Sequence, residues 1–242
     1  MRFIKIVGLA LLASLAVSMV AAASASAELG IFQCEKGVGT SNLGSNCLTE
    51  TNGVYTVKPI TGATFTSKAG ATVLATPSKK IECTTAKNEG VITSLTEDRA
   101  TIKFSGCTSS SNNCQTGTET GVLLVPVSSK IVSYTNSSNE LKAGLLLAPR
   151  NASGENEVKF ECGGVTDHVY GSVIGAIEPA GTTVADASSK SFSVKFVVTS
   201  GVQAITEKTN SLRARFSSGA TEKATQEGEA LLDFTLNVEV MG

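Results

Sequence analysis

The chain has 242 residues, a formal net charge of −1, 17% charged and 41% hydrophobic residues, no Trp and three Tyr. Near-neutral charge without a basic run or a basic–aromatic stripe argues against nucleic acid as a partner, because that binding rests on phosphate neutralisation. It argues equally against a polybasic membrane-surface site.

The N-terminal stretch MRFIKIVGLALLASLAVSMVAAASASAE predicts a secretory signal peptide over residues 1–27. Arg2 and Lys5 form the positive n-region, an apolar run follows from Ile6, and Ala25-Ser26-Ala27 is a small-x-small cleavage site before Glu28. No second apolar run of spanning length follows, so no membrane span is expected in the mature form. The expected location is secreted, extracellular or at the cell envelope.

From Glu28 onward the segment ELGIFQCEKGVGTSN does not alternate as a free strand-donating arm would, and it is expected to be clamped by Cys34. Next come GVYTVKP, ATFTSKAG, ATVLAT, KKIECTT, GVITSLT, RATIKFSGC, GVLLVPVSSKIVSYT, LKAGLLLAP, NEVKFEC, HVYGSVIGAIEP, KSFSVKFVVT, SLRARFSS and LLDFTLNVEV. Each is a short run rich in β-branched and aromatic residues, and turn residues separate most of them. In the last run Leu232, Phe234, Leu236, Val238 and Val240 alternate with polar residues, as in a strand with one buried face. GATEKATQEGEA is read as a polar loop, with one short helix as the alternative. Helical periodicity is absent after the leader. Many short strands without helices predict an all-β protein, an antiparallel β-sandwich or barrel-like fold. Residues 28–242 are expected to form a single large β domain, with PAGTTVADASSK (179–190) a possible subdivision.

Six cysteines, Cys34, Cys47, Cys83, Cys107, Cys114 and Cys162, read as disulfides in an exported chain. Many connectivities are open to six cysteines. Cys34 and Cys47 bracket one Gly/Ser/Asn loop, and Cys107 and Cys114 bracket TSSSNN, which suggests two local bridges and leaves Cys83 with Cys162. Cys83 shares a strand face with Ile81, and Cys162 with Val158 and Phe160, so both should point to the core. A weak echo, KIEC…GVITSLTE against KFEC…GSVIGAIEP, is compatible with two similar hairpins.

Catalytic candidates are few. His168, the one histidine, follows Asp167 directly, and adjacent strand residues point to opposite faces, which is poor geometry for a triad. It reads as a surface or hairpin histidine whose removal should change little. Ser172 lies in GSVIG, which is not a nucleophile elbow. Gly163-Gly164 read as a hairpin or bulge. Glu97-Asp98 sit in a turn-like TEDR and read as a solvated surface pair rather than glycosidase carboxylates. One histidine and no expected free cysteine disfavour a zinc site, scattered aspartates disfavour calcium, and no cofactor is expected.

The segments IEC, TIKFSGC, GLLLAP, KFECGG, GSVIGAIEP and VTSGVQAIT resemble a group of secreted bacterial β-rich proteins with paired cysteines and no established function. The resemblance covers most of the chain after the leader. It implies export and a β-rich, disulfide-stapled fold, and no activity. The expected function is non-enzymatic: a structural or binding role toward an unknown protein or cell-surface partner. The alternative is a secreted hydrolase, or an inhibitor or effector acting on a partner protein.

Overall fold

The computed structural model describes residues 30–36, 55–178, 191–206, 211–235 and 238–241. The leader, the expected cleavage point, Cys47 and the 179–190 segment lie outside them, and so does the expected Cys34–Cys47 bridge. No helix occurs among the described residues. The first strands in chain order are β1 (Gly30–Lys36), β2 (Tyr55–Pro59), β3 (Thr64–Ala69), β4 (Thr72–Ala75), β5 (Lys80–Cys83), β6 (Thr85–Ile92) and β7 (Glu97–Ser105). Then follow β8 (Thr108–Ser109), β9 (Asn112–Gln115), β10 (Val122–Thr135), β11 (Leu141–Pro149), β12 (Glu157–Cys162), β13 (Val165–Tyr170) and β14 (Val173–Glu178). The last are β15 (Ser191–Phe196), β16 (Val198–Thr199), β17 (Val202–Gln203), β18 (Arg213–Phe216), β19 (Thr221–Lys223), β20 (Thr225–Phe234) and β21 (Glu239–Met241).

Eight of these close into an antiparallel barrel in the order β15-β14-β11-β10-β7-β6-β3-β20, with β20 pairing back onto β15. The closing ladder runs from Ser191 opposite Asp233 to Phe196 opposite Gly228. The alternation that marks the strands in the sequence places one side chain in two inside: Asp98, Ala100, Ile102 and Phe104 from β7, and Ala86, Asn88 and Gly90 from β6, while Lys87, Glu89, Arg99, Thr101 and Lys103 are exposed. The barrel-like expectation holds, with correct inward faces for Leu232 and Phe234.

The first three residues of β20 leave the barrel and pair with β4, starting a second run of strands, β4-β5-β8-β9-β12-β13-β18-β19. Its last strand continues through Ala224 into β20. The pairs β3/β4, β5/β6, β7/β8, β13/β14 and β19/β20 each have one member in the barrel and one in this lower sheet, only one or two residues apart. The two layers are therefore stacked end to end along shared strand paths. The other end of the barrel carries a three-stranded sheet, β2-β1-β21. Ile31, Ile60, Val238 and Val240 pack there with Phe65, Ile92, Ile131, Phe192 and Phe234 as a cap.

Two segments are strands that the sequence does not mark. β1 is a strand although it does not alternate, because its partners come from β2 and from the far C-terminus. GATEKATQEGEA is not a loop but β19 and the start of β20. Ala224 is 5% exposed, and Gly228 and Ala230 line the interior, while Lys223, Glu227 and Glu229 are exposed.

The bridges also differ. Cys83 bonds Cys107 and Cys114 bonds Cys162, which overturns the expected Cys107–Cys114 and Cys83–Cys162 pairing. The reason lies in the ladder. TSSSNN is a hairpin turning at Ser110-Ser111, both with positive φ, and the Cys114 N–H donates to the Cys107 carbonyl at 2.9 Å across it. Hydrogen-bonded pairs hold side chains farther apart than non-hydrogen-bonded ones. On its other side Cys114 faces Cys162 in register, and the adjacent Gly163 N–H donates to the Asn113 carbonyl, the signature of a non-hydrogen-bonded pair. Each cysteine of the hairpin therefore bonds outward. The KIEC and KFEC strands flank the hairpin from opposite sides, and all four sulfurs lie in one cluster with Ile81, Phe160 and Val169. The inward direction read for Cys83 and Cys162 holds.

A non-reducing peptide map should recover Cys83–Cys107 and Cys114–Cys162. Given sequence separations of 24 and 48, loop closure contributes roughly 3.5 and 4 kcal/mol. Replacing both Cys114 and Cys162 with Ala should lower the unfolding free energy by about 4 kcal/mol in urea titrations, slightly more than the Cys83/Cys107 pair.

Candidate functional site

Between the capped end of the barrel and the disulfide cluster lies a partly open cavity of about 160 Å³. Small residues on the wall create it: Ala86, Ala100 and Ala230 leave space that larger side chains would fill. An eight-stranded barrel has room either for packed side chains or for one small ligand. The rest of the wall is apolar, with Leu74, Ile102, Phe104, Val125, Leu147 and Phe196 prominent. These six are only partly buried although their strand faces point inward.

A polar group interrupts this wall. Asp98, which the sequence reading placed on the surface, is 4% exposed and faces inward. β7 already begins at Glu97, so the alternation that buries Ala100 and Ile102 also buries Asp98. It stands opposite Ser129 of β10, whose hydroxyl hydrogen-bonds the carboxyl, yet Asp98 Oδ1 has no partner. On β6, paired with Ser67 of β3, Asn88 also lines the cavity, and its Oδ1 is buried and unpartnered. Among the described residues lining the cavity there is no Lys, Arg or His. Burial pushes the Asp98 carboxyl up to about 6, and the Ser129 hydrogen bond opposes this only in part. A shift of that size corresponds to about 3 kcal/mol of unfavourable burial of the charged form.

The stretch around His168 is a separate site. Gly163 and Gly164 both have positive φ and form the two-residue turn joining β12 to β13, the hairpin expected from the sequence. Asp167 and His168 diverge to opposite faces, also as expected. Asp167 is fully buried, bonded by Lys79 Nζ at 2.7 Å and the Ser217 N–H at 3.0 Å. His168 is not at a turn or free on the surface: it lies mid-strand, between Lys159 and Arg215 in the ladder. Its Nδ1–H donates to Glu157 Oε1 at 2.7 Å, and its Nε2 accepts from Arg215 Nη2 at 3.3 Å. The guanidinium can only donate, which fixes this tautomer. The ring stacks on Tyr170. The hydrogen bond from His168 holds the Glu157 carboxyl below the ordinary value. Ser172 lies in the link between β13 and β14, 3.5 Å from the Ser211 hydroxyl.

The fold and the site define a class: a closed antiparallel β-barrel, stapled by disulfides at one end, with a hollow and mostly apolar interior. No family model, curated protein or solved structure matches the chain.

Three outcomes test these assignments. Asp98→Asn removes a carboxylate whose folded-state pKa is raised, so the wild type binds more protons folded than unfolded between about 4 and 6. Stability from this group is therefore lost as pH rises through 6. Urea titrations at pH 5 and 7.5, above the range where the depressed Glu157 titrates, should show wild type roughly 1 kcal/mol more stable at pH 5. D98N should lack that difference. His168→Ala should cost about 1 kcal/mol, because it strips a partner from Glu157 and from Arg215. Asp167→Asn should cost about 2 kcal/mol, since it leaves Lys79 without its counter-ion while Lys79 keeps some access to water.

Proposed function

We propose that the protein is an exported, non-enzymatic binding protein that holds a small, largely apolar molecule inside its barrel. The observation that carries this reading is the cavity: empty space inside the barrel beside Ala86, Ala100 and Ala230, where a structural barrel of the same strand number would be packed. Its volume supports a ligand of modest size, since a dry apolar cavity of about 150 Å³ takes a benzene-sized molecule. Export is supported by the leader pattern and by two disulfides, which suit an oxidising compartment.

A non-enzymatic role is supported by the His168 site. One ring nitrogen is engaged by a carboxylate and the other by a guanidinium, so neither is available to take a proton from a nucleophile. The cell envelope or extracellular space is the proposed place of action, in keeping with the resemblance to secreted bacterial β-rich proteins.

Native mass spectrometry of protein purified from its secreting host, followed by organic extraction, is the direct test. The expected outcome is a small bound molecule released on unfolding, and saturable uptake of a benzene-sized apolar probe by the emptied protein. Filling the space with Ala100→Leu or Ala230→Leu should reduce probe uptake at least tenfold while near-ultraviolet dichroism stays native. Unchanged uptake in both folded variants would refute the interior as the binding site.

A further inference from the structure

The cavity wall carries more than shape. Both of its unpartnered buried atoms, Asp98 Oδ1 and Asn88 Oδ1, are hydrogen-bond acceptors. Asp98 is a carboxyl at 4% exposure, and no basic side chain lines the cavity to balance it among the described residues. The second carboxylate on the wall, Glu229, is exposed and already accepts from the Ser193 hydroxyl and pairs with Lys195. The charges nearest Asp98 in sequence, Glu97 and Arg99, lie on the outer face with Lys130 of β10. Ser129 stands opposite Asp98 on β10 and hydrogen-bonds its carboxyl, and the apolar Ile92 stands opposite it on β6.

A buried acceptor without a donor loses its hydration and gains nothing in return. A ligand with a donor restores that loss, and one with a positive donor also neutralises the charge. A carboxylate ligand would add a second negative charge beside the first, where no Lys, Arg or His lines the cavity among the described residues. The interior therefore discriminates against fatty acids and other organic anions.

We propose that the cavity selects a small organic amine: an alkyl or aryl body of about benzene size whose ammonium donates to Asp98. The amine's apolar part lies toward Ile102, Phe104, Val125 and Leu147. This rests on the interior being a binding site and specifies what it binds.

Three near-isosteric probes separate the two statements: 2-phenylethylamine, 2-phenylethanol and phenylacetate, titrated calorimetrically at pH 7.5 into wild type and Asp98→Asn. The expected result is amine affinity at least tenfold above that of the alcohol, and no measurable binding of phenylacetate. In D98N the amine and alcohol should differ by less than threefold while the alcohol still binds. D98N removes a buried charge, so its thermal midpoint at pH 7.5 should equal or exceed that of wild type, which verifies folding. Alcohol binding without amine preference, amine preference that survives in D98N, or phenylacetate binding as tightly as the amine would each overturn the amine assignment and leave the binding site standing. Failure of all three probes to bind wild type would overturn both.

Discussion

The pairing of β15 with β20 is the constraint on which the rest of the molecule depends. A twisted antiparallel sheet left open has two edges and one buried face, and it needs a second layer to cover that face. Once Ser191–Phe196 lies against Gly228–Asp233, the sheet covers its own face and acquires an inside. The inside then needs ends. One is supplied by the terminal strands with their Ile and Val side chains, the other by the lower sheet and its four sulfurs. The empty space between follows from the choice of Ala at positions 86, 100 and 230, where the wall could have carried larger side chains.

Gly228 shows how sequence, backbone and topology join at this seam. Its φ of +150° lies outside what side-chain-bearing residues readily adopt, and an added Cβ would come within 2.9 Å of Thr72. At this residue β20 ends its pairing with β15 and turns toward β4. One glycine thus divides a ten-residue strand between two layers.

Strand positions were largely legible, because period-two alternation is a local property. Phe234, Val238, Phe160 and Cys162 face the core as their neighbours in sequence imply. Disulfide partners were not legible, because they depend on which residues meet in register across strands distant in the chain. The Cys107–Cys114 hairpin looks closed in sequence, yet its hydrogen-bonding phase turns each sulfur outward. Asp98 lies between these cases. The alternation Asp98, Ala100, Ile102, Phe104 is present in the sequence, but TEDR reads as turn-like, which puts the start of the strand at Arg99 and Asp98 outside it. The cavity itself had no local signature: Ala86 and Ala230 lie far apart in the chain and become neighbours of one space only through closure.

The cap over the barrel has a consequence for how the molecule is made. β1 pairs with β21, Gly30 opposite Met241, so this stopper joins the beginning of the described chain to its end. Synthesis runs from N- to C-terminus, so every stave of the barrel exists before the last piece of the stopper does. Contacts of such long sequence separation are also the slowest to form, since the intervening chain must first be ordered. The barrel can therefore close before β21, the last strand of its cap, is in place.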